Sequence, residues 1–562
     1  MLERAALMPG YNGIPEGKYV YNRNRTVILF WLFAVVFCIL TANLAYIQIH
    51  EGPRLSKQAL AQQTQMISLE IPPRGQILDR NLLPLIDYNV VYRAIVVPWT
   101  IADKDREAGL LAGILEVEVS QIMEYFTTKA RMIPQDLTSI QAAKLKSLSL
   151  PGIVIVKAKV RDRKPVLAAH VIGFLGIGES RGSWEGKMGI EAIYNSDLEG
   201  DVPRSAARIY LDGRGRIISG LGLSVEENKI DSERKNVVLT IDRRIQEAVE
   251  QVMDRSGVRE GAVAVMEAGT GDILALASKP DYFLGHENVE EGHPESYLNH
   301  GLLRYQPGSV FKVVVAAAAL EEGIAAPEEI YFCAGEKDDV VKCYLKEGHG
   351  LITFSDAVTY SCNPVFARVG LKLGAEKLIK YSALFGLDSA DICGYQTQDT
   401  KDKLNLIGQK YNLVNASLGQ WPVEASVVQI AAMMNTVVGG GIYTTPRLVK
   451  MVVSDEGLVE QTIEPGEKRR AVSENTAKTL QGMLERVTRE GTGKAAWVEN
   501  GGSAGKTGSA QYGNEQVDAW FSGYAPLNKP RFVVTILVKD GESGGRTAAP
   551  LFREIMQEII QY

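Results

Sequence analysis

The sequence lacks a strong excess of charge, any internal repeat and any long low-complexity tract. Its 562 residues include 61 Lys or Arg and 67 Asp or Glu, which gives a formal net charge of −6. This balance excludes a disordered polyelectrolyte, and it argues against a nucleic-acid-binding protein because no overall positive field attracts phosphates. Cysteine is also scarce, at five residues, which excludes a small disulfide scaffold. The ordinary globular composition at this length predicts about three or four domains.

Long hydrophobic runs are absent, with one exception. The mean hydropathy of −0.04 excludes a protein with many membrane spans. Residues 26–47, TVILFWLFAVVFCILTANLAYI, carry no charge and match the roughly 20 residues that cross a bilayer. Basic residues flank this run on both sides: Lys18, Arg23 and Arg25 before it, Arg54 and Lys57 after it. We therefore predict a single-pass anchor with a cytoplasmic N-terminus and an extracytoplasmic remainder; a buried soluble helix is the alternative.

The remaining chain is predicted to form two units. Residues 55–65 form a polar helical stretch, residues 100–150 have helical periodicity, and residues 170–200 are Gly-rich with short elements. The charged stretch 226–235, EENKIDSERK, is interpreted as a linker. Beyond it, the patterns predict a strand and helix at 236–253, a hairpin at 261–278, a strand at 531–541 and an amphipathic helix at 550–562.

The first candidate chemical motif is S-x-x-K in YQPGSVFKVVVAAAAL. Pro307 and Gly308 break the chain, so Ser309 begins a helix that is apolar enough to need burial. Lys312, three residues later, shares a helical face with Ser309. A desolvated, neutral lysine can activate a serine as a nucleophile. Taken alone, however, the short pattern favours the plainer interpretation, in which Ser309 caps the helix and Lys312 reaches solvent.

A second polar pair lies in DAVTYSCNPVFARVG. Ser361 and Asn363 are two residues apart ahead of Pro364, so their side chains could point into one cleft. Serine and asparagine are also common turn residues, and this pattern alone is weaker than the first.

A third motif, GGSAGKTGSAQ at 501–511, can be compared with a phosphate-binding P-loop. Gly505-Lys506-Thr507 is present, but Asn500 stands where the P-loop requires its first glycine. The residues that follow are strand-like and not helical. We therefore predict an edge strand that binds a carboxylate, in which Gly508 lets a ligand approach the backbone closely.

The order of the three motifs changes their interpretation. S-x-x-K, then S-x-N about 50 residues later and K-T-G about 145 beyond that, form a set used by β-lactamases and penicillin-binding proteins. The sequence resembles the class B penicillin-binding proteins, the monofunctional peptidoglycan transpeptidases. Further segments resemble parts of that family: IPPRGQILDRN, GIEAIYNSDLEG, GAVAVMEAGTGDILALAS, ASLGQWPVEASVVQIAAMMNTVVGGG, REGTGKAA and DAWFSGYAP.

The resemblance implies an α+β protein with a single N-terminal transmembrane helix. An elongated mixed pedestal follows it, and then a β-lactamase/transpeptidase-like domain with a central antiparallel sheet flanked by helices. The expected divisions are a cytoplasmic tail (1–25), a transmembrane helix (26–47), a pedestal or dimerisation-type domain (48–235) and a penicillin-binding transpeptidase domain (236–562).

The resemblance also implies acyl transfer through a serine ester. Ser309 would attack the carbonyl between the two terminal D-Ala residues of a peptidoglycan stem peptide, and Lys312 would act as the base. Ser361 would relay a proton toward the leaving amine, and Asn363 would hold the substrate amide. Lys506 would supply positive potential beside Ser361 and the substrate carboxylate.

The substrate-binding residues implied by the resemblance are Thr507, Gly508 and Ser509, with the two hydroxyls bonded to the terminal carboxylate. The backbone N–H groups of Ser309 and Ser509 would form the oxyanion hole. The amine of a neighbouring stem peptide would then attack the ester. A β-lactam would enter as a substrate and stall as an acyl-enzyme. The family often has Thr at the position of Ser509 and His at that of Asp518.

The implied partners are peptidoglycan stem peptides, β-lactams, a membrane glycosyltransferase and other cell-wall synthesis proteins, with no cofactor and no nucleic acid. Two alternatives remain. A D,D-carboxypeptidase or β-lactamase would use water as the acceptor, and a receptor or scaffold would bind β-lactams without turnover. The large pedestal favours the transpeptidase.

Cysteine and histidine suggest no further site. Cys333 and Cys343 could close a small hairpin as a disulfide or remain free thiols, and both interpretations stay open. No zinc site is expected, because there is no C-x-x-C motif and His349 is the only histidine nearby. Cys362, inside the S-x-N motif, is interpreted as a small packed residue. His170 has no motif context.

Overall fold

The fold is described by a computed structural model that covers residues 23–52, 54–55, 64–127, 129–150, 152–161, 167–178, 184–200, 203–210, 223–227, 230–282, 294–395, 403–512 and 516–562. The chain divides into two units. One runs to residue 67 and includes 207–224, and the other comprises 68–206 and 225–562. Most of the predicted cytoplasmic tail and of the predicted polar helix at 55–65 lies outside the described residues.

The predicted transmembrane run forms one helix, Arg23–Tyr46, which continues into a π-helical turn, Ile47–Glu51. The mean hydropathy reaches 2.6 in its most apolar window, and none of that window is buried. A helix satisfies its own backbone polar groups, so a long apolar one suits a hydrocarbon environment. This helix therefore suits a membrane anchor or a signal sequence. The strands Thr64–Ser68, Ala206–Tyr210 and Leu223–Glu226 form a separate three-stranded sheet.

Residues 68–206 contain a mixed four-stranded sheet. Its strands lie in the order Glu70–Ile71, Ile153–Arg161, Tyr88–Val96 and Arg131–Met132, and its helices are Lys104–Leu115, Val119–Met123 and Ser139–Leu148. The helices bury their apolar stripes against alternate strand residues such as Ala94 and Val96. Short elements follow, as predicted for 170–200: Ala169–Ile172, Leu175–Ile177, Trp184–Gly186, Gly189–Ile193 and Asn195–Leu198.

A buried ion network joins two of the family-like segments in this region. Arg74 of IPPRGQ and Arg161 each donate to the carboxylate of Glu191, which belongs to GIEAIYN, at 2.5 Å. Arg74 also donates to Asn195 Oδ1 at 2.8 Å. The Glu191 side chain is fully buried, and the two arginine side chains are at most 10% exposed. The single carboxylate offsets part of the charge of two buried guanidinium groups, so its loss would leave both without a counter-charge.

We expect Glu191→Ala to destabilise the protein by about 3–5 kcal/mol, because two buried guanidinium groups would lose their counter-charge. The melting temperature of the full chain in detergent measures this loss. Glu185→Ala is the control, since Glu185 pairs with Lys187 in an ion pair whose side chains are 46% and 40% exposed. Its cost should stay below about 1 kcal/mol. Equal losses in the two variants would contradict the network's role.

The charged stretch 226–235 contains a buried ion pair that its composition does not predict. Arg234 is fully buried and donates to Asp455 Oδ2 at 2.5 Å. Arg204 donates to the other oxygen of the same carboxylate at 2.6 Å. The compensating charge lies 221 residues further along the chain, so no local pattern indicates it, and the interpretation of the stretch as a linker stays a prediction.

The largest sheet has five antiparallel strands. We label them β1 (Gly261–Glu267), β2 (Ile273–Lys279), β3 (Ala504–Tyr512), β4 (Gln516–Ala525) and β5 (Phe532–Val538). Their spatial order is β2-β1-β5-β4-β3, with every neighbouring pair antiparallel. The predicted hairpin is formed by β1 and β2, and β3 lies at the edge predicted for the K-T-G segment.

Helices cover both faces of this sheet. Along β1, Ala262 and Ala264 belong to one core, whereas Val263 and Val265 pack with the helices Arg243–Arg255 and Ala549–Ile559. Side chains alternate along a strand, so continuously apolar strands require two buried faces. The predicted fold class, an α+β protein with an antiparallel sheet flanked by helices, is confirmed.

The remaining helices pack mainly on the face of the sheet that carries Ala262 and Ala264. The helices are Lys312–Glu321, Phe354–Thr359, Asn363–Leu373, Ala375–Leu384, Asn412–Ser417, Val427–Val438 and Glu474–Arg489. Two-stranded ladders join Ile330–Cys333 with Gly350–Thr353, and Ile442–Thr444 with Lys468–Arg470. A peripheral sheet has the order Val459–Thr462, Val449–Ser454, Lys235–Leu239 and Ile77–Leu78.

Candidate active site

The S-x-x-K motif lies where a 3₁₀ turn, Gly308–Phe311, leads into the helix Lys312–Glu321. Gly308 has a φ of +55°, which strongly favours glycine, and its N–H donates to the carbonyl of Gly419 at 2.9 Å. A Cβ on Gly419 would lie 1.9 Å from the Gly308 oxygen. The two backbones therefore pack directly on each other, which holds the half-buried Ser309 at the start of a buried helix.

Lys312 does not reach solvent, so the plainer interpretation of the motif is wrong. Its side chain is 1% exposed. Its Nζ donates to the Ser361 carbonyl at 2.8 Å, to Ser361 Oγ at 3.3 Å and to Asn363 Oδ1 at 2.7 Å. It also lies 5.1 Å from the ring centre of Phe366. Burial lowers the pKa of Lys312 to about 7, so a neutral amine is accessible near neutral pH.

The S-x-N motif forms a strained turn between two helices, Phe354–Thr359 and Asn363–Leu373. Ser361 has a φ of +55°, a left-handed conformation that costs a non-glycine residue about 1–3 kcal/mol. Pro364, in the first turn of the second helix, has a backbone suited to that position. The turn aims the Ser361 carbonyl and hydroxyl, together with the Asn363 amide, at Lys312.

Lys506 approaches the same hydroxyl from the other side. It lies on β3, is fully buried, and its Nζ donates to Ser361 Oγ at 2.9 Å and to the Thr507 carbonyl at 3.1 Å. Burial and the charge of Lys312 hold the pKa of Lys506 well below its usual value. The three motifs thus meet at Ser361 Oγ, which bridges two lysine side chains.

The edge strand β3 explains why the K-T-G segment is not a P-loop. Lys506 and Thr507 are part of a nine-residue extended strand paired with β4, and no helix begins there. Gly508 is required by packing: a Cβ would lie 2.6 Å from the Pro307 carbonyl oxygen and 2.8 Å from Val310 Cγ2. The turn that carries Ser309 therefore packs closely on Gly508, and the approach of a ligand to this glycine stays a prediction.

Two residues at the site were not predicted from the sequence. Thr492 Oγ1 lies 2.7 Å from Thr507 Oγ1, and the N–H of Gly544 donates to Ser509 Oγ at 3.1 Å. A Cβ on Gly544 would lie 2.3 Å from the Gly508 carbonyl oxygen. Thr492 could have been noticed because it lies in REGTGKAA, a segment that resembles the family. Gly544 lies in GESGGR, where only the glycines point to a tight turn.

The cysteines also come together in a way that the sequence analysis missed. All five are free thiols in the structure, so it does not show a Cys333–Cys343 disulfide. Instead Cys333, Cys343 and Cys362 gather around His349, with all four donor atoms within 4.8 Å of one another. The expectation of no metal site considered only residues close in sequence and overlooked Cys362.

Comparison with known proteins identifies two matching families along the chain. The family model described as penicillin binding protein transpeptidase domain matches residues 261–557, and that of the penicillin-binding protein dimerisation domain matches 69–229. Stage V sporulation protein D of Bacillus subtilis (strain 168) is 29% identical over 570 residues, which cover 96% of this chain and 85% of that protein. Peptidoglycan D,D-transpeptidase PbpA of Mycolicibacterium smegmatis is 29% identical over 433 residues, covering 71% of this chain and 83% of that protein.

The solved D,D-transpeptidase domain of a peptidoglycan glycosyltransferase from Eggerthella lenta shares the fold. Its TM-score is 0.61 at 22% identity, and the match covers 87% of this chain and 98% of that chain. The fold and the matched domains define a penicillin-binding transpeptidase. With a dimerisation domain ahead of the transpeptidase domain, the chain belongs to the class B penicillin-binding proteins, which are peptidoglycan D,D-transpeptidases.

We expect Gly508→Ala to slow covalent labelling by a fluorescent penicillin at least about tenfold, because the new Cβ would push β3 away from the turn that carries Ser309. Gly482→Ala is the matched control. Gly482 lies in the helix Glu474–Arg489, and a Cβ there meets nothing within 4 Å. Labelling of the control should equal that of the parent. Equal labelling rates for the two variants would show that this close packing does not matter.

Proposed function

We propose that this transpeptidase cross-links peptidoglycan stem peptides through an acyl-enzyme on Ser309. The observation that carries the proposal is the convergence of two fully buried lysines, Lys312 and Lys506, on Ser361 Oγ. Two buried ammonium groups on one hydroxyl repel each other, so Lys312 and Lys506 do not both stay protonated. The pair can therefore accept a proton and later return it. Serine acyl transfer needs that pair of steps.

In the first half-reaction, Lys312 in its neutral form removes the proton of Ser309 as the hydroxyl attacks the carbonyl between the terminal D-Ala residues. Lys312 is held by Ser361 and Asn363 at 2.7–3.3 Å, so the amine is positioned before substrate arrives. The proton then passes by way of Ser361 toward the leaving D-Ala amine, with Lys506 bonded to the same hydroxyl.

The substrate carboxylate is proposed to bind along β3. Thr507 and Ser509 present hydroxyls there, and Lys506 adds positive potential. The backbone N–H groups of Ser309 and Ser509 form the oxyanion hole in this proposal. Support comes from the packing, because a Cβ on Gly308 would lie 2.9 Å from the Ser509 carbonyl oxygen, so the two segments are adjacent.

In the second half-reaction, the amine of a neighbouring stem peptide attacks the ester and forms the cross-link. A β-lactam acylates Ser309 in the same way and leaves slowly. The domain divisions proposed for this activity are an anchor at 26–47, a pedestal at 48–235 and a catalytic domain at 236–562. The N-terminus is cytoplasmic and the catalytic domain extracytoplasmic, where it meets a membrane glycosyltransferase and other cell-wall proteins.

We expect Ser309→Ala to abolish covalent labelling of the full chain by a fluorescent penicillin, a loss of about a thousandfold or more. Ser256→Ala serves as the control, because Ser256 is exposed and lies after the helix Arg243–Arg255. Its labelling should equal that of the parent. Persistent labelling of Ser309→Ala, or none of the parent, would refute the assignment of the nucleophile.

The same preparation separates the transpeptidase from its alternatives. A soluble peptide that ends in D-Ala-D-Ala, supplied with an amine acceptor, should yield the transfer product as well as free D-Ala. Release of D-Ala by hydrolysis alone would indicate a carboxypeptidase, and rapid loss of the penicillin adduct would indicate a β-lactamase. A stable adduct without peptide turnover would indicate a receptor.

A further inference from the structure

Three cysteines and one histidine form a compact cluster directly beside the S-x-N turn. Cys333 ends the strand Ile330–Cys333, Cys343 lies in the following loop, and His349 precedes the strand Gly350–Thr353. Cys362 sits between Ser361 and Asn363, at the start of a helix. The mechanism proposed above uses none of these four side chains.

The distances within the cluster fit a tetrahedral metal ion. Cys333 Sγ and Cys343 Sγ lie 3.6 and 3.5 Å from His349 Nδ1. Zinc–sulfur bonds of about 2.3 Å and a zinc–nitrogen bond of about 2.05 Å place sulfur and nitrogen about 3.6 Å apart at the tetrahedral angle. All four donor atoms lie within 4.8 Å of one another, so a sulfur–sulfur separation would close by at most about 1 Å to reach the tetrahedral edge of about 3.8 Å.

The other ring nitrogen of His349 has a partner that sets the tautomer. Tyr344 OH donates to the Tyr360 carbonyl at 2.9 Å, so its oxygen is left to accept from His349 Nε2, which lies 3.4 Å away. That arrangement places the ring proton on Nε2 and leaves a lone pair on Nδ1, which faces the sulfur atoms. A hydrogen bond to the distal nitrogen is typical of histidine ligands to metals.

The loop between Cys333 and His349 is held in shape by a buried carboxylate and by backbone hydrogen bonds such as Cys343 N–H to the Gly335 carbonyl at 3.0 Å. Every residue from Cys333 to His349 is described, and the side chains of Cys333 and Cys343 are buried. The Asp338 side chain is also buried, and it accepts from the Ala334 N–H at 3.1 Å and from Arg368 Nη2 at 2.9 Å. Gly335 and Gly348 have φ values of +70° and +79°, and a Cβ on Gly335 would lie 2.3 Å from the Gly348 nitrogen. The glycines let the loop fold back tightly, and this brings both sulfurs to one point.

We propose that Cys333, Cys343, His349 and Cys362 bind a zinc ion. Three thiolates and one imidazole are a donor set that zinc favours, and the four ligands close its tetrahedral shell. Binding of Zn²⁺ releases the three thiol protons to solvent, which leaves a site with a formal charge of −1. A disulfide would use only two of the three sulfurs. It would not explain why His349 Nδ1 faces the sulfur atoms.

The ion would also fix the S-x-N turn, because Cys362 is bonded on both sides to residues that hold Lys312. The effect of the ion on the turn rests on the proposed function, whereas the binding of the ion itself does not. Metal content and penicillin labelling are therefore measured separately.

The full chain in detergent, reduced, loaded with Zn²⁺ and freed of excess metal, should hold about one zinc per chain by elemental mass spectrometry. Cys333→Ser and His349→Ala should lose most of it. Cys393→Ser is the matched control and should keep it, because Cys393 lies outside the cluster. When cobalt(II) replaces zinc, the parent and Cys393→Ser should show a thiolate-to-metal absorption band. Cys333→Ser and His349→Ala should lack it.

Three results would overturn the metal site. These are five reactive thiols with no bound metal, a chain about 2 Da lighter that contains a disulfide within the cluster, or iron retained to the exclusion of zinc. If zinc is present, His349→Ala should label with penicillin about 10- to 100-fold more slowly at unchanged secondary structure. Zinc-dependent stability with unchanged labelling would leave the metal site standing and refute its effect on the turn.

Discussion

The burial of two lysine side chains beside one serine hydroxyl is the constraint on which the catalytic region depends. An ammonium group is costly to remove from water, so the fold must either solvate it with polar atoms or let it lose its proton. Both happen around Ser361. Its carbonyl and hydroxyl, with the Asn363 amide, surround Lys312, and the same hydroxyl meets Lys506. The left-handed backbone at Ser361 is the local cost of that arrangement.

Glycines then allow the segments to meet without side chains between them. Gly308 packs against Gly419, and Gly508 packs against the Pro307 carbonyl. Gly544 in turn packs against the backbone of Gly508 and bonds to Ser509. The packing contacts are backbone to backbone, and the Gly544 N–H also donates to the Ser509 hydroxyl, so the edge strand, the serine turn and the supporting loops form one frame. Such a frame holds donors and nucleophile in place before substrate binds, as acyl transfer requires.

The sequence predicted the parts of this protein whose signals are local. Recognisable patterns mark the apolar run, the hairpin of β1 and β2 and the three spaced motifs. The family that these patterns resemble then implied the antiparallel sheet and the meeting of the motifs at one site. Outside the motifs, it did not indicate which residues from distant parts of the chain would meet. The burial of Arg234 was not foreseen, because its partner Asp455 lies 221 residues away. Cys362 is buried and packed as predicted, but its place beside two other cysteines was not foreseen, because they lie on another loop. Burial and charge compensation across long separations leave no local trace in the sequence.

A crystal structure of the penicillin-treated enzyme tests the central claim most directly. The account predicts an ester between the opened β-lactam and Ser309 Oγ. It also predicts a carbonyl oxygen within hydrogen-bond distance of the Ser309 and Ser509 N–H groups and a carboxylate beside Thr507 and Ser509. An adduct on another residue would contradict the account. So would an ester on Ser309 whose carbonyl oxygen points away from β3.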